Sequence, residues 1–274
     1  MHAQTAGFTL AEMAIVLIIV GLLLTSVLST VSTQLDLRNN RETQTRLDQI
    51  KEALIGYAQA NGRLPCPADG TLATGASGAG LEEVTSTTTY VCKSGNKYAV
   101  LPWATLGVTE TDVWGRRFTY KVTQPTFSDA IAQISWNTTG QSPSCSAPVP
   151  TPTQSSFALC SLGSFTITTR TAASKTGTSV SGVPVVIISH GKNGYGAYTS
   201  GGTQYNITAA SGYVDEPANA TATATTFYSR EQSPQTSSCS DTAAGTPFCE
   251  FDDLVAYIPA NLLAARMVSA GKLP

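Results

Sequence analysis

The chain of 274 residues has no lysine or arginine before Arg38 and no proline before Pro65. The first absence removes the basic start of a secretory signal peptide, and no small-residue cleavage site ends the apolar run that follows. The second leaves nothing to interrupt a helix between Phe8 and Asn61. Charge is scarce throughout: Asp, Glu, Lys and Arg make up 12% of the residues, and the formal net charge is −2. That balance does not suggest a nucleic-acid binder. Histidine is limited to His2 and His190. Neither lies at ligand spacing from a cysteine and no Cys-x-x-Cys pair exists, so a zinc centre is not expected. Nor does a phosphate loop match, because Lys192 precedes its glycines in the wrong order. No cofactor and no enzymatic activity are expected.

What is present begins with "FTLAEMAIVLIIVGLLLTSVL", the 21 residues from Phe8 to Leu28, in which Glu12 is the only charge. At 1.5 Å per residue this run is long enough to cross a hydrocarbon core of roughly 30 Å. An acid inside such a run costs several kcal/mol unless it sits near the interface or finds a partner. The plainer reading of Glu12 is a carboxylate at the positive end of a helix dipole. Beyond the apolar run, Leu47, Ile50, Leu54 and Tyr57 fall on one face at helical spacing, so the helix turns amphipathic. Asn61-Gly62 followed by Pro65 marks its end. About 53 residues of helix would measure about 80 Å. One small domain cannot bury that length, so the first half belongs in lipid or against other subunits.

All six cysteines, at 66, 92, 145, 160, 239 and 249, lie past the apolar run. An even count in an exported domain reads as up to three disulfides, with reduced structural thiols as the alternative. The connectivity stays open; the sequence-local pairs Cys66–Cys92, Cys145–Cys160 and Cys239–Cys249 would each staple one loop. Strands are expected in "KYAVLPWATLG", "RRFTYKVTQ", "SFTITTR" and "VPVVIISHG", the last continuous enough to be a buried central strand. In "RRFTYKVTQ", Thr119, Lys121 and Thr123 alternate with Phe118, Tyr120 and Val122. Helical pattern returns in "PANLLAARMVSAG", while "QSPSCSAPVPTPTQ" and "DEPANATATATTF" read as loops. The expected fold class is α+β: an antiparallel sheet packed on the amphipathic half of the long helix, with loops pinned by disulfides.

"GFTLAEMAIVLIIVGLLL" resembles the class III signal of type IV prepilins and type II secretion pseudopilins. The resemblance covers about residues 6–30. It implies that a prepilin peptidase cuts after Gly7, that Phe8 becomes the methylated N-terminus, and that Glu12, the fifth mature residue, sets subunit register during assembly. The domains implied are a leader (1–7), a long helix (8–62, with 8–28 its transmembrane and assembly part) and a globular, β-rich pilin domain (63–274). The last would be periplasmic while the chain is a single-pass inner-membrane protein, and then part of a filament in the periplasm or at the cell surface. Partners would be the peptidase, other pilin or pseudopilin subunits, the inner membrane and an assembly platform. Ser29 stands where major pilins tend to carry a proline, which is closer to a minor pilin or pseudopilin. "GRLPCPADG", "LPWATLGV", "DVWGRRFTY", "VVIISHGKNGYGA" and "FDDLVAYIPANLLAARMVSAGKLP" are similar to blocks of a prepilin-like family and add no activity. The alternative function is a filament-tip adhesin or a ligand- or DNA-binding module.

Three stretches invite a site. "SHGKNGYGA" places Ser189, His190 and Lys192 close together, but consecutive strand residues point to opposite faces, so a strand and turn explain it better than a triad. Asp252 and Asp253, with Glu250, Asp215, Glu216 and Asn193, are weak Ca²⁺ candidates, as in some pseudopilins of the resembling family. No alternating Asp-x-Asp loop is present, and no metal is expected. Trp103 and Trp114 with Arg116 and Arg117 suggest base stacking, against the plainer reading of core tryptophans and rim arginines.

Overall fold

The computed structural model describes residues 9–86, 90–130, 154–171, 174–206 and 210–273, with the side chains of 24–33 outside the description. Helix α1 runs from Leu10 to Asn61 without a break, as the missing prolines require. The chain divides into two units, Met1–Glu42 and Thr43–Pro274.

In the first unit, α1 starts on a reciprocal cap. The Thr9 N–H and hydroxyl both donate to Glu12 Oε2, at 2.8 and 2.9 Å, and the Glu12 N–H donates to Thr9 Oγ1 at 3.3 Å. This is the Thr-x-x-Glu capping box, which satisfies donors that a helix start otherwise leaves open. The described apolar side chains that follow are exposed, Leu10 at 90% and Leu22 at 69%. Among the described residues no helix is long and apolar enough to cross a membrane. Residues 10–23 cover only about 21 Å of rise, short of a hydrocarbon core. The spanning segment expected over 8–28 is therefore not carried by the described residues. Gly7 and Phe8 lie outside them.

The second unit contains residues 43–61 of α1 and two sheets. The larger sheet is antiparallel, in the order β1 (Ala68–Asp69), β2 (Tyr98–Val100), β3 (Thr119–Val122), β6 (Val185–Ser189), β8 (Leu254–Ile258). The smaller has the order β5 (Ser174–Val183), β4 (Phe165–Thr171), β7 (Thr226–Ser229), with β4 and β7 parallel. Among the described residues three further helices belong to the unit: α2 (Trp103–Leu106), α3 (Asp215–Ala220) and α4 (Ala260–Ser269). The class is α+β with an antiparallel main sheet, as expected, and the parallel β4–β7 pair is an addition to it.

Strand β6 shows why one run reads as continuously apolar. Val185 and Ile187 join the cluster built on Leu47, Ile50, Leu54 and Ala58 of α1, with Leu263 and Met267 of α4. Val186 and Ile188 point the other way, to Phe165 and Ile167 of β4 and Phe227 of β7. The strand is covered on both faces, the condition that removes polar alternation. Strand β8 does the same, with Ala256 and Ile258 toward the helices and Val255 and Tyr257 toward the smaller sheet.

Four expectations change. Tyr57 is only half-buried, and its hydroxyl donates to Glu82 Oε1 at 2.8 Å instead of joining the core. "LPWATLG" turns into α2, closed by Gly107 at φ 67°, a conformation glycine adopts without a Cβ clash. "DEPANATATATTF" holds α3 and the start of β7. Arg117 is fully buried and not a rim charge: its guanidinium stacks 4.5 Å from the Trp103 ring and pairs with Glu110 at 2.7 Å.

Cys66–Cys92 and Cys239–Cys249 are bonded. Cys160 is also disulfide-bonded, while Cys145 lies outside the described residues, as does nearly all of "QSPSCSAPVPTPTQ".

Candidate functional site

A dense cluster of buried polar groups sits where β6 runs into its turn. Ser189 and His190 diverge there, as alternation on a strand demands. The Ser189 hydroxyl donates to Asp112 Oδ2 at 2.7 Å, whereas His190 Nε2 lies 2.8 Å from Thr119 Oγ1 on neighbouring β3. Lys192 is exposed, so the three residues of the enzyme-like motif face three directions. His190 Nδ1 instead faces Asp253 Oδ1 at 3.3 Å, with both side chains fully buried.

Three segments then close around the turn. Asp253 Oδ2 accepts from Asn219 Nδ2 at 2.8 Å, which ties the start of β8 to α3. Asp252 Oδ2 accepts from the Asn193 N–H at 2.7 Å. Glu216 Oε1 accepts from Asn193 Nδ2 and from the Asp252 N–H, both at 3.0 Å. Gly191 makes the approach possible: at φ +52°, an added Cβ would lie 2.3 Å from the Asp252 carbonyl oxygen and 2.5 Å from its Oδ1.

The result is three carboxylates, Glu216, Asp252 and Asp253, whose oxygens lie within 4.8 Å of one another. Burial, followed by the Asp253 carboxylate, pushes Glu216 up to about 8. Burial pushes Asp252 up to about 6, with Asp253 again contributing. Asp252 Oδ1, Asp253 Oδ1 and His190 Nδ1 are buried without a hydrogen-bond partner. Buried like charges with open acceptors raise the cost of ionisation. A hard divalent cation, which takes several oxygen ligands, would relieve it. The donor set therefore fits such an ion, with Glu216, Asp252 and Asp253 as the oxygen ligands.

The other acidic candidates are placed elsewhere. Asp215 is held by Arg170 and by Arg230 Nε, the latter at 2.8 Å, and Arg230 also pairs with Asp241 at 3.2 Å and with the Cys249 carbonyl at 2.9 Å. This network fastens α3 to β4 and to the Cys239–Cys249 loop. Glu250 is not in the three-carboxylate group. Thr119, read in the sequence only as part of a strand's alternation, and Asn219, not singled out at all, complete the centre; only their place beside "SHG" and the Asp-Asp pair in the fold marks them. Thr9 was missed as well, although Thr-x-x-Glu ahead of an apolar run is the capping-box signature that marks it. Among the stacking candidates, Arg117 is sealed inside and Arg116 lies 5.3 Å over the Tyr205 ring. Compared with protein-family models, curated proteins and solved structures, the chain matches none.

Proposed function

We propose that the chain is a structural subunit, a minor pilin or pseudopilin, of a type IV pilus or type II secretion-like filament. A prepilin peptidase matures it between Gly7 and Phe8, Phe8 is methylated, and the N-terminal helix passes from the inner membrane into the filament. The observation that carries this reading is the helix start. It opens on a capping box one residue after Phe8, and the apolar side chains behind it are exposed. Burying each such side chain contributes about 2 kcal/mol. A long helix with that surface calls for lipid or neighbouring helices, and the disulfide-pinned head suits an exported subunit.

The cap also sharpens the role of Glu12. In the isolated chain its Oε2 already serves Thr9, so Glu12 fixes the helix start first. Pairing with the Phe8 amine of a neighbouring subunit is the added function of the assembled state. Expression of the full chain with a prepilin peptidase tests this. Gly7→Val should leave the precursor uncut by intact mass, and Glu12→Ala should be cut normally but enter filaments at least tenfold less than wild type. Normal cutting of the Gly7→Val precursor, or equal incorporation of the Glu12→Ala subunit, refutes the reading.

A further inference from the structure

We propose that a cavity on the polar face of β3 is a binding site for a short-chain carboxylate, held by the Lys121 ammonium group. The cavity measures about 150 Å³, and its lining includes Asn96, Ala99, Thr119, Lys121, Gln204 and Ala220, with no acidic side chain among its described lining residues. Thr119 and Lys121 are two apart on β3, so both point away from the helix-facing Phe118, Tyr120 and Val122.

Lys121 is 8% exposed, and its Nζ donates to a single acceptor, the Ala222 carbonyl, at 2.9 Å. Among the described residues no carboxylate pairs with it. Buried charges in proteins are ordinarily paired, because the desolvation of an isolated one is not repaid. Burial lowers the Lys121 ammonium only to about 8, so at neutral pH the cation is there and lacks its counter-charge. An anion in the cavity supplies it.

The surroundings select the class of anion. Among the described lining residues Lys121 is the one cationic side chain, which matches a single negative charge. Behind Thr119 lies His190, and behind His190 the Asp253 carboxylate. That wall opposes a second negative charge, so a dianion such as phosphate fits worse. A cavity of about 150 Å³ takes a molecule the size of benzene, about six heavy atoms. Lactate and propionate are of that size: the carboxylate meets Lys121 and the Asn96 amide, and the short alkyl part meets Ala99 and Ala220. The inference is independent of filament assembly.

Reductive methylation of the full chain with formaldehyde and dimethylamine-borane tests it, read peptide by peptide by mass spectrometry. Sodium lactate should slow methylation of Lys121 at least fivefold relative to sodium chloride of equal ionic strength. Lys97, exposed at the surface, and the half-buried Lys93 should be unaffected. In a parallel thermal scan lactate should raise the midpoint of wild type and not that of Lys121→Met, which keeps the volume and loses the charge. Equal protection by chloride, stronger protection by phosphate, no protection at all, or equal stabilisation of Lys121→Met each overturns the proposal.

Discussion

Glu216 is the group through which the buried acidic centre becomes measurable. Its carboxyl is pushed up to about 8, first by burial and then by Asp253, from an ordinary value of 4.5. The folded chain therefore holds a proton on Glu216 at pH values where the unfolded chain has released it. More protons bound in the native state means that stability falls as pH rises, fully present below the unfolded value and lost on the way up to the folded one. Between about pH 5 and pH 7 the loss from this one group is on the order of 2 kcal/mol, from linkage at about 1.4 kcal/mol per pH unit. Glu216→Gln removes the titration and retains an oxygen that can accept from the Asn193 amide and the Asp252 N–H. Urea denaturation of the full chain in chelator, followed by tryptophan fluorescence, should show wild type weakening over that interval and the variant weakening by about 2 kcal/mol less. With calcium in place of chelator, wild type should gain stability most at the higher pH and Glu216→Gln should gain less, because an ion at the three carboxylates favours their charged forms. Equal pH slopes for the two proteins in chelator would refute the assignment of a protonated Glu216.

Two further perturbations address the frame around that centre. Ile187→Ala removes a fully buried side chain between β6 and α1, and should cost about 2–5 kcal/mol in the same denaturation series; a loss below about 1 kcal/mol would mean that this face of β6 is not the core. Gly191→Ala places a methyl group against Asp252 at a positive φ, and should destabilise by more than about 2 kcal/mol while Gly75→Ala, at a positive φ in open space, costs about 1 kcal/mol. Similar values for the two glycine variants would show that the Asp252 approach is not tight.

The fold was legible where one residue type had one physical cause. Leu47, Ile50 and Leu54 recur at helical spacing because one stripe is buried, and β6 is continuously apolar because both its faces are. It was illegible where polar residues form regular structure. Strand β5, "SKTGTSVSGV", is mostly exposed and rich in Ser and Thr, so it carries no apolar alternation and reads as a loop. Strand β7 was hidden in the same way behind "NATATATTF", and the β4–β7 parallel pairing is a long-range contact that no local pattern encodes. The acidic centre was half legible. Asp252, Asp253, Glu216 and Asn193 all stand out as oxygen-bearing side chains, but they come from separate segments joined by no spacing rule, and grouping them needs the turn at Gly191. Glu250 and Asp215 looked equivalent to them in sequence and are not, since only the fold puts Arg170 and Arg230 beside Asp215.

Strands covered on both faces also set how freely this chain can vary. A strand with one wet face accepts polar replacements at every second position, so half its length can drift. In β6 all five residues are enclosed, and nearly any exchange there removes contacts from one layer or the other. Strand β5, with a single buried residue at its end, sits at the opposite extreme. Related sequences would therefore keep "VVIIS" far more closely than the neighbouring strand, whose tightest position is Gly177, held at φ +77° against the Thr169 carbonyl, although the two are separated by one residue, Pro184.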